Sequence, residues 1–255
     1  MNPEASYEGM LDADLIQEGA DTDLRIFDNS KRAKIALGVL IAVLVVQVIS
    51  LVSEFMQIQL LQEFDALFAV DDDILERAEV NDRRQLLIQL LTLAVSVTFI
   101  VVFLNWFRRA YGNLHRLKVG GLTAPEVNAV WAWFIPIISL FRPVVLASEI
   151  WKHTGGQLQK LGGQDTTASI RGLVLGLWWF FFIGSGVLGR IAAFKTRRDE
   201  EISEMIFSSQ LVLGSEVMRF LAGAFLAMLI LKISGLESML SRKVLDQGGQ
   251  VLMKS

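Results

Sequence analysis

Four apolar runs, each about as long as a bilayer is thick, constrain this chain more than any other feature. Ile35 to Ser53 is 19 residues with Gln47 as its most polar member, and it follows Ser30, Lys31, Arg32 and Lys34. At 1.5 Å per residue such a helix is about 28 Å long, close to the roughly 30 Å hydrocarbon core. Leu86 to Trp106, Gly172 to Gly189 and Leu211 to Leu231 are comparable. A water-soluble domain disperses its apolar residues periodically, so the 53% hydrophobic content and mean hydropathy of +0.46 matter here because they are gathered. An ordinary cytosolic enzyme is thereby excluded. The first run is not a cleavable signal, since about thirty mostly acidic or polar residues precede it and no small-x-small site follows.

Val130 to Leu146 is apolar but holds Pro136, Arg142 and Pro143. Each proline removes a backbone donor and clashes with the preceding turn, so one straight span is disfavoured. Irregular backbone at membrane depth survives only inside protein or beside water. The expected fold is therefore an all-α integral membrane protein of four transmembrane helices plus a Pro-broken re-entrant or interfacial helical hairpin, with five spans as the alternative. Charge placement supports four. With both ends inside, 16 basic residues fall on the cytoplasmic side and 7 outside, whereas a fifth span flattens that asymmetry. Arg197 and Arg198 count against it.

The chain divides into an acidic tail over 1–30, a membrane helical domain over 31–235 and an interfacial C-terminal tail over 236–255. Eight acidic residues and one Arg in the first thirty cannot bury a core, so that tail is expected to be disordered or to order on a partner. Residues 54–85 carry nine acidic and three basic side chains, yet Met56, Leu60, Phe64, Leu67 and Phe68 recur at helical spacing. Asp73 and Glu76 form a capping box. These features predict a helical hairpin, its tip near Val70 to Asp73, projecting about 20 Å beyond the bilayer. Arg190 to Gln210 reads as a shorter version, with Arg197 and Glu201 at i,i+4. At the far end Leu236, Met239, Leu240 and Val244 suit a short interfacial helix.

Lys plus Arg (24) and Asp plus Glu (27) nearly cancel to a net charge of -3, and no basic patch is sustained, so nucleic acid is not an expected partner. With no cysteine, thiolate metal sites, disulfides and cysteine nucleophiles are excluded. His115 and His153 are the two histidines. Glu149 and His153 stand at i,i+4, but such a pair alone makes a meagre ligand set, and no metal or cofactor is expected. Gly155-Gly156 and Gly162-Gly163 flank QLQKL without a GK[ST], so no phosphate loop is supported.

The densest polar constellation straddles the inner end of the second run. Trp106, Arg109, Asn113 and Arg116 share one helical face. Trp131, Trp133, Pro136, Pro143, Glu149 and Trp151 follow. Trp at a membrane boundary is ordinarily an anchor, and an aromatic belt with snorkelling Arg is the plain reading. The sharper one pairs Arg109 with Glu149 and sets Asn113 on carbonyls freed near Pro136 or Pro143, forming a polar pocket open to the cytoplasm. Glu216 and Arg219 lie inside the last apolar run, where charge is costly. They can pair with each other at i,i+3 or with Arg190. The step Gly172 to Gly176, with Ser185, Gly189, Gly223 and Ala227, permits close helix approach.

The segments WFRRAYGNLHRL (Trp106 to Leu117), WAWFIPIISLFRPVVLASEIW (Trp131 to Trp151) and LWW (Leu177 to Trp179) together resemble a bacterial membrane family known as domain of unknown function 4328. The resemblance runs from about Leu86 to Leu231. Arg108 stands where an aromatic is usual, Ser139 where Asn is common and Val144 where Tyr often follows Pro. The resemblance implies a multi-pass protein of the bacterial inner membrane and no particular reaction. The expected function is a non-enzymatic accessory or scaffold subunit that engages partner membrane proteins or further copies of itself. The alternative is a transporter or channel for small solutes or lipids, built on the Pro-broken segment. No nucleophile with a plausible base supports an intramembrane enzyme.

Overall fold

The computed structural model describes residues 25–66, 72–196 and 201–252. Strand β1 (Arg25–Phe27) leads into helix α1 (Ser30–Ala66) and then α2 (Asp72–Arg116). A short α3 (Asn128–Trp131) and a 3-10 turn (Ile138–Leu140) precede α4 (Arg142–Lys160), α5 (Arg171–Thr196), α6 (Ile202–Asp246) and strand β2 (Gln250–Leu252). Four helices, α1, α2, α5 and α6, are long and apolar enough to cross a membrane. They contain the four runs read from the sequence, and the five-span alternative falls away.

The Pro-containing stretch breaks where the proline argument requires. Pro136 sits in a turn, the next residue Ile137 takes the left-handed φ of 68°, and Pro143 occupies the first turn of α4, where its missing N–H costs nothing. Phe134, Ile137 and Phe141 leave this stretch with their side chains exposed. Where the chain turns back, Trp179 Nε1 of α5 donates to the Leu140 carbonyl at 3.0 Å.

α1 and α2 continue past their apolar runs as the expected antiparallel hairpin. Arg77 grips Glu63 with both guanidinium nitrogens, at 2.7 and 2.6 Å, and Gln85 Nε2 donates to Gln57 Oε1 at 2.7 Å. The expected tip at Val70 and Asp71, and the positions Leu67 and Phe68, lie outside the described residues. So do Arg197 and Arg198 between α5 and α6.

α6 packs on α5 and on α1, and α1 packs on α2. At Gly223 of α6 a Cβ would come 2.8 Å from Leu44 Cδ2, so glycine lets α6 close on α1. Gly172 and Gly176 face open space instead, so the GxxxG step is not what brings helices together in this chain. The core is concentrated at the end away from the hairpin, where α4 packs against α6 and α2; Phe107, Ile150, Trp151 and Ile233 are fully buried there.

Two boundaries move. α6 runs unbroken through residue 235 to Asp246, with Leu236, Leu240 and Val244 in the core, so the short interfacial helix expected there is the end of α6. Residues 25–30, placed with the acidic tail, are ordered: β1 pairs in parallel with β2, Ile26 opposite Val251. Residues 1–24 of that tail lie outside the described residues. Asp28 then starts α1, its carboxylate accepting from the Ser30 N–H at 3.0 Å.

Candidate functional site

The C-terminal end of α2 presents two faces, and each receives a different partner. The face carrying Arg109, Asn113 and Arg116 docks β1. Asn113 Oδ1 accepts the Phe27 N–H at 3.0 Å while its Nδ2 donates to the Phe27 carbonyl at 2.9 Å, so one amide replaces a strand's backbone partner. Arg109 and Arg116 lie over the Phe27 ring, at 4.4 and 4.5 Å from its centroid. Burial, with Arg32 and Arg116 close by, pulls the Arg109 guanidinium below its ordinary pKa.

Behind Asn113 lies Glu237 of α6, beyond Lys232 and past the apolar run. Asn113 Nδ2 donates to its Oε1 at 3.3 Å, and Asn29 Nδ2 to its Oε2 at 3.0 Å. Asn29 Nδ2 also reaches the Trp106 carbonyl at 3.2 Å. Burial dominates and pushes the Glu237 carboxyl up to about 7, against the lowering effect of the two amides.

The second face carries Tyr111, which meets Glu149 of α4. Tyr111 Oη lies 2.8 Å from Glu149 Oε2 and 3.1 Å from the Ala124 carbonyl, and accepts the Ala124 N–H at 3.2 Å. Thr123 donates to Glu149 through its N–H at 3.3 Å and through its hydroxyl. Burial first, then the bond to Glu149, raises the Tyr111 pKa well above that of a free phenol. His115 fixes the same loop through the Ala124 carbonyl at 3.0 Å.

The predicted residues are therefore gathered at one end of the molecule but joined otherwise than expected. Arg109 does not pair with Glu149; its cationic head lies over Phe27. Asn113 does not cap carbonyls near Pro136 or Pro143; it holds Phe27 and Glu237. Trp106 and Trp151 are 0% exposed and belong to the core rather than to an interfacial belt, whereas Trp131 is exposed, as an anchor should be. Trp151 Nε1 donates to Thr167 Oγ1 at 2.7 Å, and Asp165 holds Thr167 in turn. Inside the apolar run of α6, Arg219 donates to Glu216 at 2.7 Å, the i,i+3 pair read from the sequence.

Glu237, Asn29 and Tyr111 were not singled out by sequence. Glu237 carried a legible signal: it interrupts the stripe Leu229, Ile233, Leu236, Leu240 and Val244, a carboxylate on a face otherwise apolar. The two carboxylates of the cluster are occupied. Glu149 and Glu237 each hold hydrogen bonds from neighbouring side chains, and no His, Asp and Glu group among the described residues has the arrangement to hold a metal.

A family model for the domain of unknown function DUF4328 matches residues 72–235. No curated protein and no solved structure matches the chain. The match takes in α2 from its projecting start through nearly all of the apolar part of α6, and leaves out α1 and both Phe27 and Glu237. The chain belongs to this family of unknown function.

Proposed function

From this family membership and the occupied carboxylates of the cluster around Asn113, we propose that the protein is a non-enzymatic subunit of the bacterial inner membrane, both ends cytoplasmic, that engages a partner membrane protein through its projecting hairpin. The observation that carries the reading is apolar surface where lipid does not reach. Leu75 and Val80, 51% and 59% exposed, stand about 16 Å and 9 Å beyond Leu86 by helical rise. Val80, with Met56 and Leu60 across from it, borders a groove of ≈ 390 Å³ whose rim is charged, by Asp73, Glu76, Arg77 and Arg84. An apolar strip inside a polar rim is the ordinary composition of a protein interface.

The crossing stretch of α2 adds to this. Its apolar window is 6% buried, against 22 to 28% for the other three, so this helix gives up the most membrane-facing area to a neighbour. The cluster around Asn113 supports a structural role, because its two carboxylates and the Asn113 amide are spent on joining β1, α2, α4 and α6. The pairing of β1 with β2 supports both ends on one side, and the 16 to 7 distribution of basic residues supports the cytoplasmic side.

A photo-crosslinking amino acid at Val80, used in native membranes, tests the proposal. A discrete adduct with a second membrane protein is expected. Adducts with lipid alone, or none, would sink it, and an adduct with a second copy of this chain would replace the partner by self-association.

A further inference from the structure

The hairpin end of the bundle also contains a groove that the sequence gives no hint of. α2 packs on α1, while α6 packs on α1 and α5, so a gap opens between α2 and α6. Three adjoining cavities of ≈ 450, 340 and 350 Å³ follow it, the first two sharing Glu54 and Gln85 and the last two sharing Ser96 and Arg219. Along α6 the lining runs from Met205 to Leu226, about 32 Å by helical rise.

The chemistry changes along that length. Near the hairpin the walls bear Glu54, Gln57, Asp82 and Ser208. Glu54 and Glu216 flank the middle, with Arg219 beside them. The far part is walled by Phe99, Phe103, Trp133 and Trp178. Glu54 is itself buried, within hydrogen-bonding reach of Ser209 and Gln85, although its place right after the first apolar run marks it as an ordinary loop acid.

Two buried groups lack partners among the described residues and line the groove. Gln47, 4% exposed, has Oε1 unpaired at the aromatic part, and Ser208, 3% exposed, has Oγ unpaired near the mouth. The outer oxygen of Glu216, Oε2, is unpaired as well. Unpaired buried polar atoms in a built cavity call for a ligand or water to satisfy them.

We propose that this groove binds one amphiphile whose headgroup carries both an amine and a phosphate, a zwitterionic phospholipid of the hairpin-side leaflet. Its ammonium lies between Glu54 and Glu216 and its phosphate against Arg219, whose side chain is 43% exposed, with Nη1 bonded to Glu216 and its other nitrogens left to donate. One acyl chain follows the aromatic wall toward Trp133 and Trp178. The carboxylates outnumber the cation at the waist, so a headgroup with a phosphate but no amine is disfavoured. An ammonium with protons to donate satisfies the carboxylate oxygens, which a quaternary amine cannot.

Native mass spectrometry of the full chain tests this, with phosphatidylethanolamine, phosphatidylcholine and phosphatidylglycerol of matched chains offered at equal concentration. Phosphatidylethanolamine adducts should exceed phosphatidylglycerol adducts about fivefold, the size of a partly exposed ion pair. S96F, which fills the junction of the two deeper cavities, should lose the adduct, and E216Q should erase the headgroup preference while still binding. Equal adducts of all three lipids on the wild type would overturn the proposal without reference to any variant. So would a wild type that retains a second copy of the chain and no lipid, which would assign the groove to a helix of that copy.

Discussion

Asn113 and Glu237, 124 residues apart, meet at 3.3 Å, and through them β1, α2 and α6 are tied at a single buried carboxylate. Two of the four Nδ2 hydrogens of Asn29 and Asn113 are taken elsewhere, by the carbonyls of Phe27 and Trp106. The carboxylate is therefore under-solvated, which is why burial outweighs its hydrogen bonds.

Stability should consequently depend on pH through Glu237. An acid whose folded pKa is raised stabilises the fold fully below its unfolded value and loses that contribution as pH rises through the folded value. With the carboxyl at about 7 against 4.5, the loss falls between about pH 4.5 and 7 and is on the order of 3 kcal/mol. E237Q removes the titration, and its amide can donate to Asn29 Oδ1, which is buried and unpartnered. Thermal unfolding in detergent from pH 4.5 to 8 should show E237Q gaining on the wild type as pH rises. Parallel profiles would refute the assignment.

Y111F tests the second carboxylate. It strands the Ala124 N–H and leaves Glu149 with Thr123 alone, at a cost of about 1–3 kcal/mol. Because the network positions the loop from Thr123 to Glu126, the loss should appear both as a lower unfolding temperature and as faster proteolysis in that loop. An unchanged Y111F would mean that the network contributes nothing net.

The spans, the hairpin and the break at Pro136 to Pro143 were legible because each follows from local chain properties: run length, helical period, a missing donor. The partners of the polar residues were not. Arg109, Asn113 and Glu149 look like partners when read along the chain, but Phe27 is 86 residues from Asn113 and nothing local marks it. Trp106 and Trp151 illustrate the same limit. Trp beside an apolar run reads as an anchor, yet each follows buried residues one helical turn earlier, Phe103 and Ala147, and so belongs to an inward face. Glu54 and Ser208 are quiet for the same reason, since what makes them notable is the gap between α2 and α6.

T167V should destabilise the fold by leaving the Trp151 indole N–H buried without an acceptor, about 1–3 kcal/mol, whereas T167S keeps the bond. G155A should act on the same group by another route. A Cβ there would fall 2.1 Å from Asp165 Oδ2, and Asp165 Oδ1 holds Thr167 through both its N–H and its hydroxyl. Overpacking of this kind costs about 1–3 kcal/mol. Unfolding temperatures ranking wild type and T167S above T167V and G155A would match; G155A equal to wild type would show that Asp165 moves freely.

The absence of cysteine from the chain makes its topology directly measurable. Glu76, on the projecting hairpin, and Gln159, near the end of α4, are both exposed, and the two lie on opposite sides of the bilayer if α2 crosses it. With both chain ends cytoplasmic, E76C should react with a membrane-impermeant maleimide added to spheroplasts, and Q159C only after the membrane is permeabilised. The reverse pattern would invert the molecule, placing the inner cluster around Asn113 and Glu237 outside the cell and the hairpin with its groove in the cytoplasm. Labelling of both positions in intact spheroplasts would instead mean that α2 does not cross, since between the two sites no helix other than α2 is both long and apolar enough to cross the bilayer.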